Sequence, residues 1–153
     1  MSAAIKVSVV DKGVLGALAV MQKQLRDMTP VMKAIGRKLE SNTHVRFDTK
    51  TAPDGSSWAP WSEETAKARE EEGRGTLLEY TGRMRDSLTY EADKDSVTVG
   101  FGVPYAIHHE RGTKRIPARP MLFDGDSLGQ QDLDDVLAVA LRAFKRQLNK
   151  QGA

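Results

Sequence analysis

The chain has 153 residues, 39% of them hydrophobic and 29% charged, and no cysteine. That length and balance describe one folded domain with its own core, not a disordered tract. The missing thiols exclude disulfide frameworks, thiolate zinc sites, iron–sulfur clusters and a cysteine nucleophile.

Charge is segregated within a net +2. Residues 1–50 carry nine basic and four acidic side chains, residues 62–95 six and ten, and residues 108–119 four and one. Such opposite-sign surfaces suit head-to-tail contacts between copies, or a solvated mixed surface. No apolar run reaches the ~20 residues of a membrane span. Met1-Ser2-Ala3-Ala4-Ile5-Lys6 has no basic leader before an apolar core, so the product is expected in a cytoplasm.

Ile5, Val7 and Val9 alternate with polar residues and predict a short strand. Val14, Leu18, Met21, Leu25 and Met28 then recur at spacings of four and three, the signature of an amphipathic helix. Met32, Ile35 and Leu39 keep the phase beyond Thr29-Pro30. One kinked helix or two helices fit; Thr29 as cap with Pro30 at the first position favours a break.

Residues 48–62 form the main loop, with turn chemistry at Pro53-Asp54-Gly55 and both tryptophans, Trp58 and Trp61, after it. Ser62 opens a charged helix that runs to about Glu72 and stops at Gly73. A helical turn is expected over Arg83–Ser87. Leu88, Tyr90 and Ala92 pair as a hairpin with Val97, Val99 and Phe101 across Asp93-Lys94-Asp95. Gly100 and Gly102 predict a bulge or a close backbone approach. A short helix over Pro104–Glu110 ends at Gly112, and a basic loop runs from Arg111 to Pro120. The last helix, Gln130 to Lys150, carries the stripe Leu133, Val136, Leu137, Ala140, Leu141, Phe144 and Leu148.

Catalytic patterns are wanting. His108-His109-Glu110 invites a metal, but adjacent residues of a helix diverge by about 100° and the His-x-x-x-His spacing is missing. No serine elbow and no phosphate loop occurs, and Glu63-Glu64 and Asp134-Asp135 sit on charged helical faces. No enzyme activity, cofactor or metal is expected. Arg111, Lys114, Arg115 and Arg119 could contact phosphate, but no motif for reading nucleic acid accompanies them, so specific binding is not expected. A small nucleic-acid-binding regulator using this loop is the alternative function. Trp58 and Trp61 either pack back on the domain's own helices or anchor a neighbour.

The order of these pieces resembles the virion-morphogenesis, or tail-completion, family of contractile-tailed phages, Mu-type G proteins among them. Three blocks carry the resemblance. Arg46-Phe47 is followed by Pro53-Asp54-Gly55, Trp58, Pro60 and Thr65; Leu77-Leu78 by Thr81-Gly82 and Ser87-Leu88; and Tyr105-Ala106-Ile107-His108 by Gly112-Thr113 and Ile116-Pro117-Ala118-Arg119-Pro120. Met121-Leu122-Phe123 stands where relatives more often place phenylalanine directly. The resemblance implies one α+β domain over residues 1–153, a small antiparallel sheet flanked by helices, similar to tail-terminator and neck proteins. It implies a non-enzymatic structural subunit that forms a ring, often hexameric, in tail completion or head–tail joining. Its partners would be its own copies, the tail tube and neck or head-side proteins; it would assemble in the bacterial host cytoplasm and end in the virion tail or neck. Trp58, Trp61, Tyr105, Arg111, Lys114, Arg115 and Arg119 are the expected contact residues. Loops 48–62 and 111–120 are the expected places for a change of order on assembly.

Overall fold

The predicted period of the first apolar stripe appears as a buried face. In the computed structural model, which describes residues 12–73 and 75–152, helix α1 spans Lys12–Gln24. Val14 and Met21 on that helix, and Leu25 and Met28 just beyond it, are buried. The strand expected over Ile5–Val9 lies outside the described residues.

The chain breaks before Pro30, and α2 spans Thr29–Thr49. The capping group differs from expectation: the Asp27 carboxylate accepts both the Thr29 N–H at 2.9 Å and its hydroxyl at 2.6 Å. A carboxylate there also complements the positive end of the helix dipole. At the other end Lys50 takes a left-handed conformation, φ 58°, and gives its N–H to Arg46 O at 2.7 Å. That closes the last turn in the manner usually left to glycine.

Helix α3 (Glu63–Glu72) starts on the Ser62 hydroxyl, which accepts the Thr65 N–H at 3.2 Å, and ends at Gly73 with φ 65°. It buries no residue. A turn of helix, α4 (Arg83–Asp86), leads into strand β1 (Leu88–Ala92), paired antiparallel with β2 (Val97–Phe101). Asp93 shapes the connection by accepting the N–H groups of Asp95 and Ser96, both at 2.8 Å. Of the bulge or close backbone approach expected at Gly100 and Gly102, the bulge is not there. Leu88 faces Phe101 and Ala92 faces Val97 in an unbroken ladder, with Gly100 opposite Thr89.

Helix α5 (Ala106–Arg111) and the long α6 (Gln130–Gln151) complete the described elements. The stripe on α6 faces the core at Leu133, Val136, Leu137, Ala140, Phe144 and Leu148, with one exception: Leu141 is 44% exposed, and Ala143 is buried instead. The result is α+β, with the sheet reduced to a hairpin among the described residues.

Helix α2 is the hub, packing on α6 and on both strands, while α1 packs on α6. Close approach explains Gly36 in the middle of α2: a Cβ there would overlap the Tyr90 ring on β1. At the start of α6, a Cβ on Gly129 would lie 2.7 Å from Pro53 O, so the Pro53-Asp54-Gly55 turn docks against that helix end. Phe47 centres the core, with Trp58 edge-on at 5.5 Å and Phe101 at 6.1 Å between ring centroids.

The C-terminal end of α2 also fastens the turn before α4. Lys50 Nζ donates to Glu79 at 2.5 Å and to Leu77 O at 3.0 Å; Arg85 pairs with Glu79 and Asp48, each at 2.8 Å. Burial, the largest single influence on the Glu79 carboxyl, pushes its pKa up, but the bonds from Lys50 and Arg85 together outweigh it. The net position is below the ordinary glutamate value. A carboxyl depressed in the folded state contributes stability above its unfolded value of about 4.3, and that contribution is lost as pH falls through the lower folded value. Glu79→Gln is therefore expected to cost about 1 kcal/mol near neutrality and to flatten the acid limb of a stability–pH curve. Denaturant midpoints measured from pH 6 downward check this; parallel curves for variant and parent would refute it.

Candidate functional site

The basic segment after α5 is a built loop. Gly112 opens it at φ 75°, a conformation that favours glycine, and a Cβ there would lie 2.7 Å from Ala118 N. Thr113 closes the turn: its N–H reaches Ile116 O at 2.9 Å, and its hydroxyl accepts the N–H groups of Arg115 and Ile116 at 3.1 and 3.2 Å.

This loop and the tryptophan loop clasp each other. Trp58 Nε1 donates to Pro120 O at 2.7 Å, while Arg119 donates to Ala59 O at 2.7 Å and to Pro60 O at 2.9 Å. Two expected contact residues are thereby reassigned. Trp58 is 4% exposed and Arg119 7% exposed. Their side chains are engaged within the chain, so neither is an exposed contact, although Arg119 still lines a cleft. The large apolar body of Trp58 fills core space against Phe47, and the Arg119 guanidinium is matched to backbone carbonyls. Both loops expected to reorder are thus tied to each other in this structure.

Behind the clasp, Glu110 is buried and its carboxylate accepts the N–H groups of Met121, Leu122 (2.9 Å) and Phe123 (2.8 Å). Burial pushes this carboxyl's pKa up, against the pull of those three donors. Its oxygens are committed to the backbone, and no group of three or more acidic or histidine ligands gathers among the described residues. His109, whose pKa burial pushes down with help from Arg119 and His108, keeps a buried Nδ1 with no hydrogen-bond partner among the described residues.

The remaining expected residues divide. Arg111 is exposed, pairs with Asp126 at 3.0 Å and lies 5.5 Å from the Phe123 ring centroid. Lys114 is exposed, with no side-chain partner among the described residues. Trp61, Tyr105 and Arg115 come together with buried Arg119 in the wall of one open cleft of about 480 Å³. Tyr105 is 38% exposed and stands edge-on to His109, 6.2 Å between centroids.

The same cleft is lined by residues that the sequence did not single out: Arg69, Tyr80 and Arg83. Arg69 lies 4.0 Å over the Tyr80 ring and 3.7 Å from Glu72. Leu78, at the positive φ of 63°, also lines it. Arg69 looked like one charge of a solvated helix, and Arg83 like part of an incidental turn. Their convergence depends on α3 folding back beside the 112–119 loop, which no local spacing announces. The cleft is rich in arginine and aromatic rings, and no carboxylate lines it among the described residues. Such a wall binds anionic or planar groups.

The profile of the phage virion morphogenesis family matches residues 9–145 of the chain. The chain is also similar to Mu-like prophage FluMu G protein 1 of Haemophilus influenzae, 26% identical over 122 residues, covering 78% of this chain and 81% of that protein. No solved structure matches. No helix among the described residues is long and apolar enough to cross a membrane.

Proposed function

Because this chain belongs to the phage virion morphogenesis family, we propose that it is a non-enzymatic structural subunit of a phage or prophage particle, acting in tail completion or head–tail joining as part of a homo-oligomeric ring. The observation that carries this reading is the extent of the match, residues 9–145, which takes in every element from α1 to most of α6. The similarity to a Mu-like prophage G protein supports it. So does the commitment of Glu110, which stands beside the two histidines, to backbone N–H groups.

Assembly would take place in the host cytoplasm, against the tail tube and the neck or head-side proteins. Trp61, Tyr105, Lys114 and Arg115 are the contact residues retained from the sequence, with Arg111 at the edge. The test is electron microscopy of induced lysates with the reading frame deleted. Free filled heads beside unjoined or overlong tails are expected; intact, infectious particles would sink the proposal. Arg115→Glu in the complementing copy probes the surface, since Arg115 is exposed. Arg119→Glu does not, because it would set a carboxylate against the carbonyls of Ala59 and Pro60.

A further inference from the structure

We propose that the cleft between α3, the 76–84 turn and the 112–119 loop receives a short acidic segment of a different protein of the particle. This deepens the structural role proposed above and takes the identity of the partner as a particle component from it.

The argument begins with uncommitted positive charge. Arg83 and Arg115 line the cleft, are exposed, and make no side-chain hydrogen bond or ion pair among the described residues. Arg119 lines the same cleft: its donors meet two backbone carbonyls, yet no carboxylate pairs with its largely buried charge among the described residues. A buried cation without a counter-charge is costly, and an entering carboxylate would relieve it. The buried Nδ1 of His109, which also lines the cleft, adds a polar atom that lacks a partner among the described residues. Trp61, Tyr80 and Tyr105 supply aromatic walls for the apolar parts of the same segment.

Two other occupants fit less well. A volume near 480 Å³ accommodates a few side chains and not a duplex. The helix forming one wall also carries Glu63, Glu64, Glu70 and Glu71, exposed, so a long polyanion crossing the mouth would run along them. The same glutamates disfavour a second copy offering its own α3, which would bring like charges side by side. A short acidic segment entering end-on avoids both conflicts.

The test is fluorescence anisotropy of the full chain with a labelled, end-blocked peptide DELDEFD, its uncharged counterpart NQLNQFN, and a short DNA duplex. The acidic peptide is expected to bind at least about tenfold more tightly than its counterpart, and to weaken about tenfold when Arg83→Ala and Arg115→Ala are combined. Occupancy should also change tryptophan emission in the parent chain, but not in Trp61→Phe. Equal binding of the two peptides, or indifference to the double substitution, would overturn the proposal. Arg115-dependent binding tighter for the duplex would reassign the cleft to nucleic acid. Self-association that the double substitution abolishes would reassign it to a second copy. The assay needs no particle: peptide binding beside a harmless deletion keeps the cleft and removes the particle role, and the converse pair of results does the reverse.

Discussion

Asp132→Ala is expected to lower unfolding free energy by about 3–5 kcal/mol, a large share of what a domain of this size has. Asp132, in the first turn of α6, meets Arg46 of α2 at 2.5 Å, with only 1% and 8% of the two side chains exposed. Arg46 also donates to Met121 O at 2.8 Å, and Asn42 donates to the same Asp132 oxygen at 2.9 Å. Removing the carboxylate strands a guanidinium in the interface between the two longest helices. The double replacement Arg46→Met with Asp132→Leu is expected to be the milder change, since it removes both charges together. Denaturant unfolding followed by tryptophan fluorescence decides: a loss below about 1 kcal/mol for Asp132→Ala would mean that water screens the pair.

Glu110→Ala is expected to cost a similar amount, about 3–5 kcal/mol, for a different reason. The buried carboxylate satisfies three consecutive backbone donors, those of Met121, Leu122 and Phe123, whose side chains are core. Alanine would leave those N–H groups without an acceptor, and bonds to a charged acceptor are worth about 1.5–3 kcal/mol each. Glu110→Gln keeps one acceptor oxygen and should fall between alanine and the parent. The pH signature is opposite to that of Glu79. Because burial raises the folded pKa of Glu110, ionising it in the folded chain costs stability as pH climbs from the unfolded value of about 4.3 to the folded value, a cost the three backbone donors only partly offset. An unchanged unfolding midpoint in Glu110→Ala would show that water or a loop shift replaces the carboxylate.

Much of the frame was legible in the residues. The spacing from Val14 to Leu39 marked one helical stripe, and Thr29-Pro30 favoured the break found within it; Ser62 and Gly73 bounded α3; Asp93 marked the hairpin turn. Each of these signals is local, within one turn of helix or one strand pairing. What stayed illegible depends on partners far along the chain. Trp58 and Trp61 are three residues apart and chemically identical, yet one is sealed under Pro120, 62 residues on, and the other lines an open cleft. Arg119 and Arg115 divide the same way: composition marked a cationic loop, but not which cation faces carbonyls. Glu110 drew notice only through a metal reading that its spacing ruled out, because a lone carboxylate beside two histidines gives no sign of three N–H groups lying 11 to 13 positions ahead.

The resemblance blocks take on a second meaning in the structure. Arg46, Phe47, Trp58, Gly112 and Arg119 all hold the fold together. They identify the architecture more than its contacts, and the candidate contacts Arg83 and Arg115 fall at or between those blocks.

The clasp and the Glu110 clamp share a property that bears on how freely this sequence can drift. Trp58 and Arg119 grip the carbonyls of Pro120, Ala59 and Pro60, and Glu110 grips the amides of positions 121–123. A carbonyl is present whatever the side chain, and an amide N–H is present in every residue but proline. The constraint is therefore one-sided. The gripping positions must keep their chemistry, whereas the gripped ones answer only to packing, or must merely avoid proline. Substitutions at positions 121–123 that avoid proline and keep the packing should therefore leave the joint intact.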